Sequence, residues 1–215
     1  MTPPTGDPAV PAGIVLVGGA SRRMGRDKAT LPVPGSSLTL VEHLVGLLGR
    51  RCRPVFVVAA PGQHLPALPA QLLYDKVGGL GPLPATGLGL RAADAAGAQR
   101  AFVAAVDLPL LGIDLIDTLT GVAAGVDADV VLPWDGRDHY LAAVYRCAVA
   151  SRIDALVAAG ERRMAALVAG LDTQRVVVGA DAGLTNLNSP ADLAALPVVG
   201  PAADGGAAAA GKRHG

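Results

Sequence analysis

Short runs of β-branched residues alternate along this chain with stretches rich in alanine and leucine, and that alternation constrains the fold more than any other feature. A run such as Gly13–Val17 is too short for a helix and apolar throughout, so it reads as a strand buried on both faces. Strands of this kind, separated by helical stretches, give a mostly parallel sheet covered by helices on both sides. The expected strands are Gly13–Val17, Pro54–Ala59, Gln71–Tyr74, Ala101–Val106, Asp129–Leu132, Tyr140–Tyr145 and Arg175–Val178. The expected helices are Thr39–Leu48, Ala85–Ala95, Gly112–Ala123, Ala148–Val157, Arg162–Val168 and Pro190–Leu196. The last has the clearest start: Ser189 can cap it, Pro190 suits its first position and Asp192 lies three residues beyond the cap. The fold class is α/β, in three layers.

With 215 residues, 51% of them apolar, the chain can bury one sizeable core and is short for two. Residues 1–12 hold four prolines and 199–215 are rich in glycine and alanine, so both ends read as disordered around a single domain at 13–198. Basic and acidic residues balance at 18 each, which leaves no global field to hold nucleic acid. No basic segment leads into an apolar stretch at the start, and no run reaches the roughly 18 apolar residues of a spanning helix, so a cytoplasmic protein without a membrane partner is expected. Cys52 and Cys147 stand near no metal-ligand spacing and read as small apolar fillers. His43 and His64 read as ordinary surface or core histidines.

In open α/β sheets, ligands bind beyond the carboxyl ends of the strands. Leu16-Val17-Gly18-Gly19 follows the first strand directly and leads through Arg22, Arg23 and Arg26 to Lys28. Gly18 and Gly19 carry no side chains, so backbone N–H groups there can approach phosphate oxygens, and the four cations offset phosphate charge. The segment has neither the Walker A lysine spacing nor a dinucleotide fingerprint, and a triphosphate fits it better. Only Lys28, Lys76 and Lys212 among the 18 basic residues are lysines, and a compact ammonium can follow a transferring phosphoryl group. Lys28 is therefore the leading catalytic candidate; a solvated basic turn is the bland alternative, above all for Arg26.

Gly18-Gly19, then Arg23-Met24-Gly25 and Asp27-Lys28, resemble the signature of the molybdenum cofactor guanylyltransferase family. Further segments continue the likeness in order, over roughly Gly13 to Leu196. Asp75 ends the third expected strand, before Gly78-Gly79-Leu80-Gly81-Pro82-Leu83. A carboxylate there can accept from both guanine N1–H and the exocyclic amine, or can serve as a turn former or partner of Lys76. Gly81-Pro82-Leu83 is similar to the family's Gly-Pro-Leu-Ala-Gly element, with Pro84-Ala85 replacing its last two residues, and Asp75 falls where the family's nucleotide-contacting aspartate lies. Asp107, at the end of the fourth expected strand, offers a hard oxygen of the kind magnesium takes from one or two carboxylates. A turn role is its alternative, and Asp107-Leu108-Pro109 matches the family's Asp-x-Pro metal site.

Other segments carry roles through the resemblance alone. Asp135-Gly136-Arg137-Asp138-His139-Tyr140 and Glu161-Arg162-Arg163 are similar to segments lining the acceptor side, with Tyr140 standing where proline is frequent. Arg162 and Arg163 would bind the acceptor phosphate, or form a solvated helix face. Asn186 and Asn188, in Asn186-Leu187-Asn188-Ser189-Pro190, match an Asn-x-Asn-Thr-Pro element near the active centre and also read as a turn ahead of the Ser189 cap.

The resemblance implies a three-layer Rossmann-like nucleotidyltransferase fold and a magnesium-dependent enzyme. It would transfer GMP from GTP to the phosphate of molybdenum-loaded molybdopterin, releasing pyrophosphate. Leu16, Val17, Gly18, Gly19, Lys28, Asp75 and Asp107 would bind the nucleotide, with Lys28, Arg23 and Asp107 catalytic. Cofactor-biosynthesis proteins and client molybdoenzymes are the partners it implies. A cytidylyltransferase or a sugar-phosphate nucleotidyltransferase would use the same loop and carboxylate, and a noncatalytic molybdopterin carrier is the rival from another class.

Overall fold

The computed structural model describes residues 10–18, 27–75, 80–179, 183–187, 189, 191–192 and 195. Of the expected ends, residues 1–9 and 199–215 lie outside that set, whereas β1 already begins at Ala12. Among the described residues seven strands form one sheet: β1 (Ala12–Leu16), β2 (Val55–Ala59), β3 (Gln71–Tyr74), β4 (Arg100–Ala105), β5 (Val130–Trp134), β6 (Ala142–Arg146) and β7 (Thr173–Val177). Their order is β3-β2-β1-β4-β6-β5-β7. Only β6 runs against its neighbours, pairing antiparallel with both β4 and β5. Each expected strand is found, with ends displaced by a residue or two.

Side-chain alternation divides the core in two. Val15, Val57, Phe102 and Val144 face one layer, made by α1 (Leu40–Leu48) and α3 (Ile113–Gly125). Ile14, Phe56, Val103 and Tyr145 face the other, made by α2 (Pro82–Ala95), α4 (Ala150–Ala158) and α5 (Met164–Val168). β1, β2 and β4 are buried almost along their whole length, as strands covered on both faces must be.

The helices begin where local chemistry allows. Thr39 caps α1 in a full capping box, its hydroxyl accepting from the Glu42 N–H while the Glu42 carboxylate accepts from the Thr39 N–H. α2 starts at Pro82, three residues before the expected Ala85, because proline suits a first helical position and Gly81 turns the chain at φ +85°. α5 starts at Met164, two residues after the expected Arg162, because the Glu161 carboxylate takes the backbone N–H groups of Arg162 and Arg163. The expected final helix lies partly outside the described residues. Its start is visible: Ser189 N–H donates to Asp192 at 2.8 Å, and Ser189 Oγ accepts from the Asp192 N–H at 3.2 Å.

Layer contact is close enough to demand small residues. A Cβ on Gly89 of α2 would lie 2.6 Å from Cγ2 of Ile14 in β1. Cys52 and Cys147 are free and buried, and burial pushes both thiols up to about 12, so they fill space as expected. Among the described residues no helix is long and apolar enough to cross a membrane.

Candidate active site

The chain leaves β1 for β2 and β3 on one side and returns to β4 on the other, so the strand order reverses between β1 and β4. A crevice opens at the carboxyl ends of such a pair. Pairing continues to the ends of these strands: the Val106 N–H donates to the Leu16 carbonyl at 3.0 Å, and the Val17 N–H donates to the Val58 carbonyl of β2 at 3.0 Å. Gly18 must be small, since a Cβ there would stand 3.2 Å from the backbone nitrogen of Ala60.

Lys28 opens a one-turn 3-10 helix, Lys28–Thr30, capped by Asp27, whose Oδ1 accepts from the Ala29 N–H at 3.0 Å. The Lys28 ammonium donates to the carbonyl of Leu187. The N–H of the same Leu187 donates to the carbonyl of Asp107 at 2.7 Å. Leu187 thus links the side chain of the sequence's leading cation to the main chain of the residue that bears its leading carboxylate. The segment carrying Leu187 rests on the loop after β4, for a Cβ on Gly183 would be 2.0 Å from the Leu110 carbonyl oxygen. Burial pushes the Asp107 carboxyl above the usual carboxylate range, against the opposing pull of the Lys28 charge and its own backbone N–H.

Of the remaining candidates, Asp75, Arg162, Arg163 and Asn186 are among the described residues. Asp75 leaves β3 partly exposed, its N–H bonded to the Ala59 carbonyl at 2.9 Å. Arg162 adjoins the turn ahead of α2, its carbonyl oxygen 3.4 Å from where a Cβ on Gly81 would stand. Its guanidinium donates to the carbonyls of Val157 and Glu161 at 3.0 and 2.7 Å, closing the end of α4. Arg163 is 79% exposed and pairs with Glu161, whose carboxyl is held down to about 2 by Arg163 and the backbone N–H groups of Arg162 and Arg163. Asn186 is exposed beside Leu187. Gly19, Arg23 and Asn188, with Arg22 and Arg26, lie outside the described residues.

The connection between β5 and β6 reaches the carboxyl ends of the parallel strands because β6 runs antiparallel. His139 Nε2 lies 2.8 Å from Asp135 Oδ1, and Arg175 of β7 grips Asp138 through two bonds of 2.8 and 2.9 Å. The carbonyl of Tyr140 accepts from the Tyr145 hydroxyl at 2.8 Å, anchoring the residue that departs from the family's proline. Trp134 stands exposed at the end of β5.

Gln63, which carries no motif, binds both flanks of the charged loop. Its Nε2 donates to the Val17 carbonyl at 3.2 Å and to Asp27 Oδ2 at 2.7 Å. In sequence it is one polar residue in a Pro/Gly-rich connection, with nothing to separate it from a solvated loop. A cavity of about 860 Å³ opens at the opposite sheet edge, between the end of α1 and the start of β2, and touches none of these residues.

Residues 13–176 match the MobA-like NTP transferase domain family. A protein of Mycobacterium tuberculosis named "probable molybdenum cofactor guanylyltransferase" is 63% identical over 182 residues, covering 85% of this chain and 90% of its own length. The same name is carried by a Mycobacterium marinum protein, 63% identical over 184 residues and covering 86% and 92%. Among solved structures, molybdopterin-guanine dinucleotide biosynthesis protein A of Archaeoglobus fulgidus superposes with a TM-score of 0.70 at 20% identity, covering 86% of this chain and 95% of that one. A 2-C-methyl-D-erythritol 4-phosphate cytidylyltransferase from Thermus thermophilus gives 0.65 at 19% identity, covering 86% and 96%. At those identities the two structures share the fold, and the mycobacterial relatives carry the family.

Proposed function

This chain belongs to the MobA-like NTP transferase family, and we propose that it transfers GMP from GTP to the phosphate of molybdenum-loaded molybdopterin, forming the guanine dinucleotide cofactor. The observation that carries this reading is Leu187, whose carbonyl accepts from the Lys28 ammonium and whose N–H donates to the Asp107 main-chain carbonyl, so that both candidate residues meet one backbone segment beyond the ends of β1 and β4.

An oxygen of the acceptor phosphate attacks the α-phosphorus of GTP; a new P–O bond forms as the bond to the β-phosphate bridging oxygen breaks and pyrophosphate leaves. Such a displacement needs alignment and charge neutralisation more than covalent help. The Lys28 ammonium offsets charge developing on the α-phosphate and on the departing pyrophosphate, and Arg23 takes the same part from its place in the loop. Leu16, Val17, Gly18 and Gly19 let the phosphates approach the backbone at the end of β1. Asp75 accepts from the guanine base, which favours GTP over nucleotides lacking two adjacent donors. Arg162, Arg163, Asn186 and Asn188 serve the acceptor phosphate and its pterin.

The donor set supports magnesium. Asp107 is a half-buried carboxylate, and among the described residues no group of three or more histidines, cysteines or carboxylates gathers. Magnesium suits such a site, since it takes one or two carboxylates and completes its octahedron with phosphate oxygens and water. Asp107 would hold the ion, which would supply positive charge to neutralise the phosphates.

A pyrophosphate-release assay comparing GTP, CTP, ATP and UTP with the same acceptor tests the base assignment. GTP is expected to be used at least about tenfold better, one good hydrogen-bonding contact's worth. Equal or better use of CTP contradicts it.

A further inference from the structure

We propose that Gln63 is a positioning residue for Lys28, acting through Asp27 rather than on the nucleotide. The proposal rests on the reading of Lys28 as the cation at the transferring phosphate.

Gln63 lies partly buried in the connection from β2 to β3 and uses both ends of its amide. Its Oε1 accepts from the Ala60 N–H at 2.9 Å, while Nε2 donates to the Val17 carbonyl at 3.2 Å and to Asp27 Oδ2 at 2.7 Å. Only this orientation is chemically consistent: turned over, the amide oxygen would face a carbonyl and a carboxylate, and its NH₂ would face an N–H. The bond to Asp27, at 2.7 Å, is the shorter of the two that Nε2 makes. Asp27 is thereby held at both oxygens, because Oδ1 caps the one-turn helix at the Ala29 N–H, 3.0 Å away. Lys28 is the first residue of that helix, and its ammonium reaches the Leu187 carbonyl. The connected set Gln63, Asp27, Lys28 and Leu187 spans from the end of β1 to the loop after β4. Without Gln63, Asp27 Oδ2 loses this bond, and the side chain that caps the turn carrying Lys28 keeps only its Oδ1 bond to Ala29, beside the turn's own bonds from Thr30 and Leu31.

Misplacing a charged group by about 1 Å can cost on the order of 10²-fold in rate. Gln63→Ala is accordingly expected to lower kcat about tenfold while changing KM for GTP by less than about threefold, since Lys28 acts on charge that develops in the transition state. A double-mutant cycle with Lys28→Ala separates positioning from general support of the fold. If Gln63 works through Lys28, its removal costs less than about twofold once Lys28 is gone. Gln63→Glu, of the same size, still accepts from Ala60 but turns a carboxylate oxygen toward Asp27, and is expected to lose as much activity as the alanine variant. Equal costs of Gln63→Ala in both backgrounds, or wild-type kcat in Gln63→Glu, would overturn the proposal. Should Lys28→Ala itself leave kcat within about threefold, the role of Lys28 falls and the proposal with it, a result distinct from equal costs in the two backgrounds.

Discussion

Asp107 shows how a residue proposed for the site can oppose the fold that holds it. Burial is the largest influence on its carboxyl and raises its pKa, and the Lys28 charge offsets that only in part. For a raised carboxyl the sign is fixed. Its contribution to stability is complete below the unfolded value of about 3.9 and is lost as pH rises through the folded value. At neutral pH the ionised group therefore costs stability. Asp107→Asn, of the same shape and uncharged, is expected to melt above the wild type in magnesium-free buffer at pH 7, with the difference shrinking toward pH 4. In a chain of this size about 2–4 °C corresponds to 1 kcal/mol. Calorimetry or circular dichroism melts across that range check it, and an asparagine variant melting lower at pH 7 would contradict the dominance of burial over the Lys28 charge. Gln63 makes a different point at this scale. Its bonds are readable only once β1, β2 and the turn at Asp27 are placed together, since no local pattern marks a residue whose partners lie 46 and 36 positions away.

The helices illustrate how far glycine depends on its surroundings. α2 lies against β1 through Gly89, where an added Cβ would stand 2.6 Å from Cγ2 and 3.1 Å from Cδ1 of Ile14, a fully buried and stiffly branched side chain. In α3 a Cβ on Gly121 would meet nothing within 4 Å. Alanine is about 1 kcal/mol better than glycine in a helix interior, whereas overpacking a core costs about 1–3 kcal/mol. Gly121→Ala is thus expected to stabilise by up to about 1 kcal/mol. Gly89→Ala should destabilise by up to about 2 kcal/mol net of the propensity gain. Urea unfolding of the two variants measures both, and a gain at both positions would show that α2 and β1 are packed less tightly than described. Element boundaries missed in the sequence have equally local causes. Pro82 starts α2 where Gly81-Pro82-Leu83-Pro84 resembles a turn, and Glu161 consumes the N–H groups of Arg162 and Arg163, so that α5 begins later.

Across the whole molecule, the α/β class was legible because the central strands β1, β2 and β4, buried and parallel, leave apolar runs too short for helices, and the more exposed β3 and β7 were legible as short runs between helical stretches. Strand order was not, nor the reversed direction of β6, because both depend on which runs meet in space. The site divides likewise. Lys28, Asp75 and Asp107 sit at strand ends or in the turns that follow, as the rule for open sheets requires, and Lys28 and Asp107 meet through Leu187. Arg162 and Arg163 reach the same edge only because α4 runs back along α2, with Arg91 of α2 paired to Asp154 of α4. Their place on the acceptor side came from likeness to a family, and no periodicity in the chain expresses it. A carrier of molybdopterin would need neither the cation nor the carboxylate at the crevice, and this contrast makes the central claim open to one decisive measurement. GTP labelled at the α-phosphate is incubated with magnesium, molybdenum-loaded molybdopterin and either the wild-type protein or Asp107→Ala. The account predicts label in a guanine dinucleotide product with the wild type, and at least about a 10²-fold loss in the variant. Label remaining wholly in GTP with the wild type, or full transfer by Asp107→Ala, would contradict it.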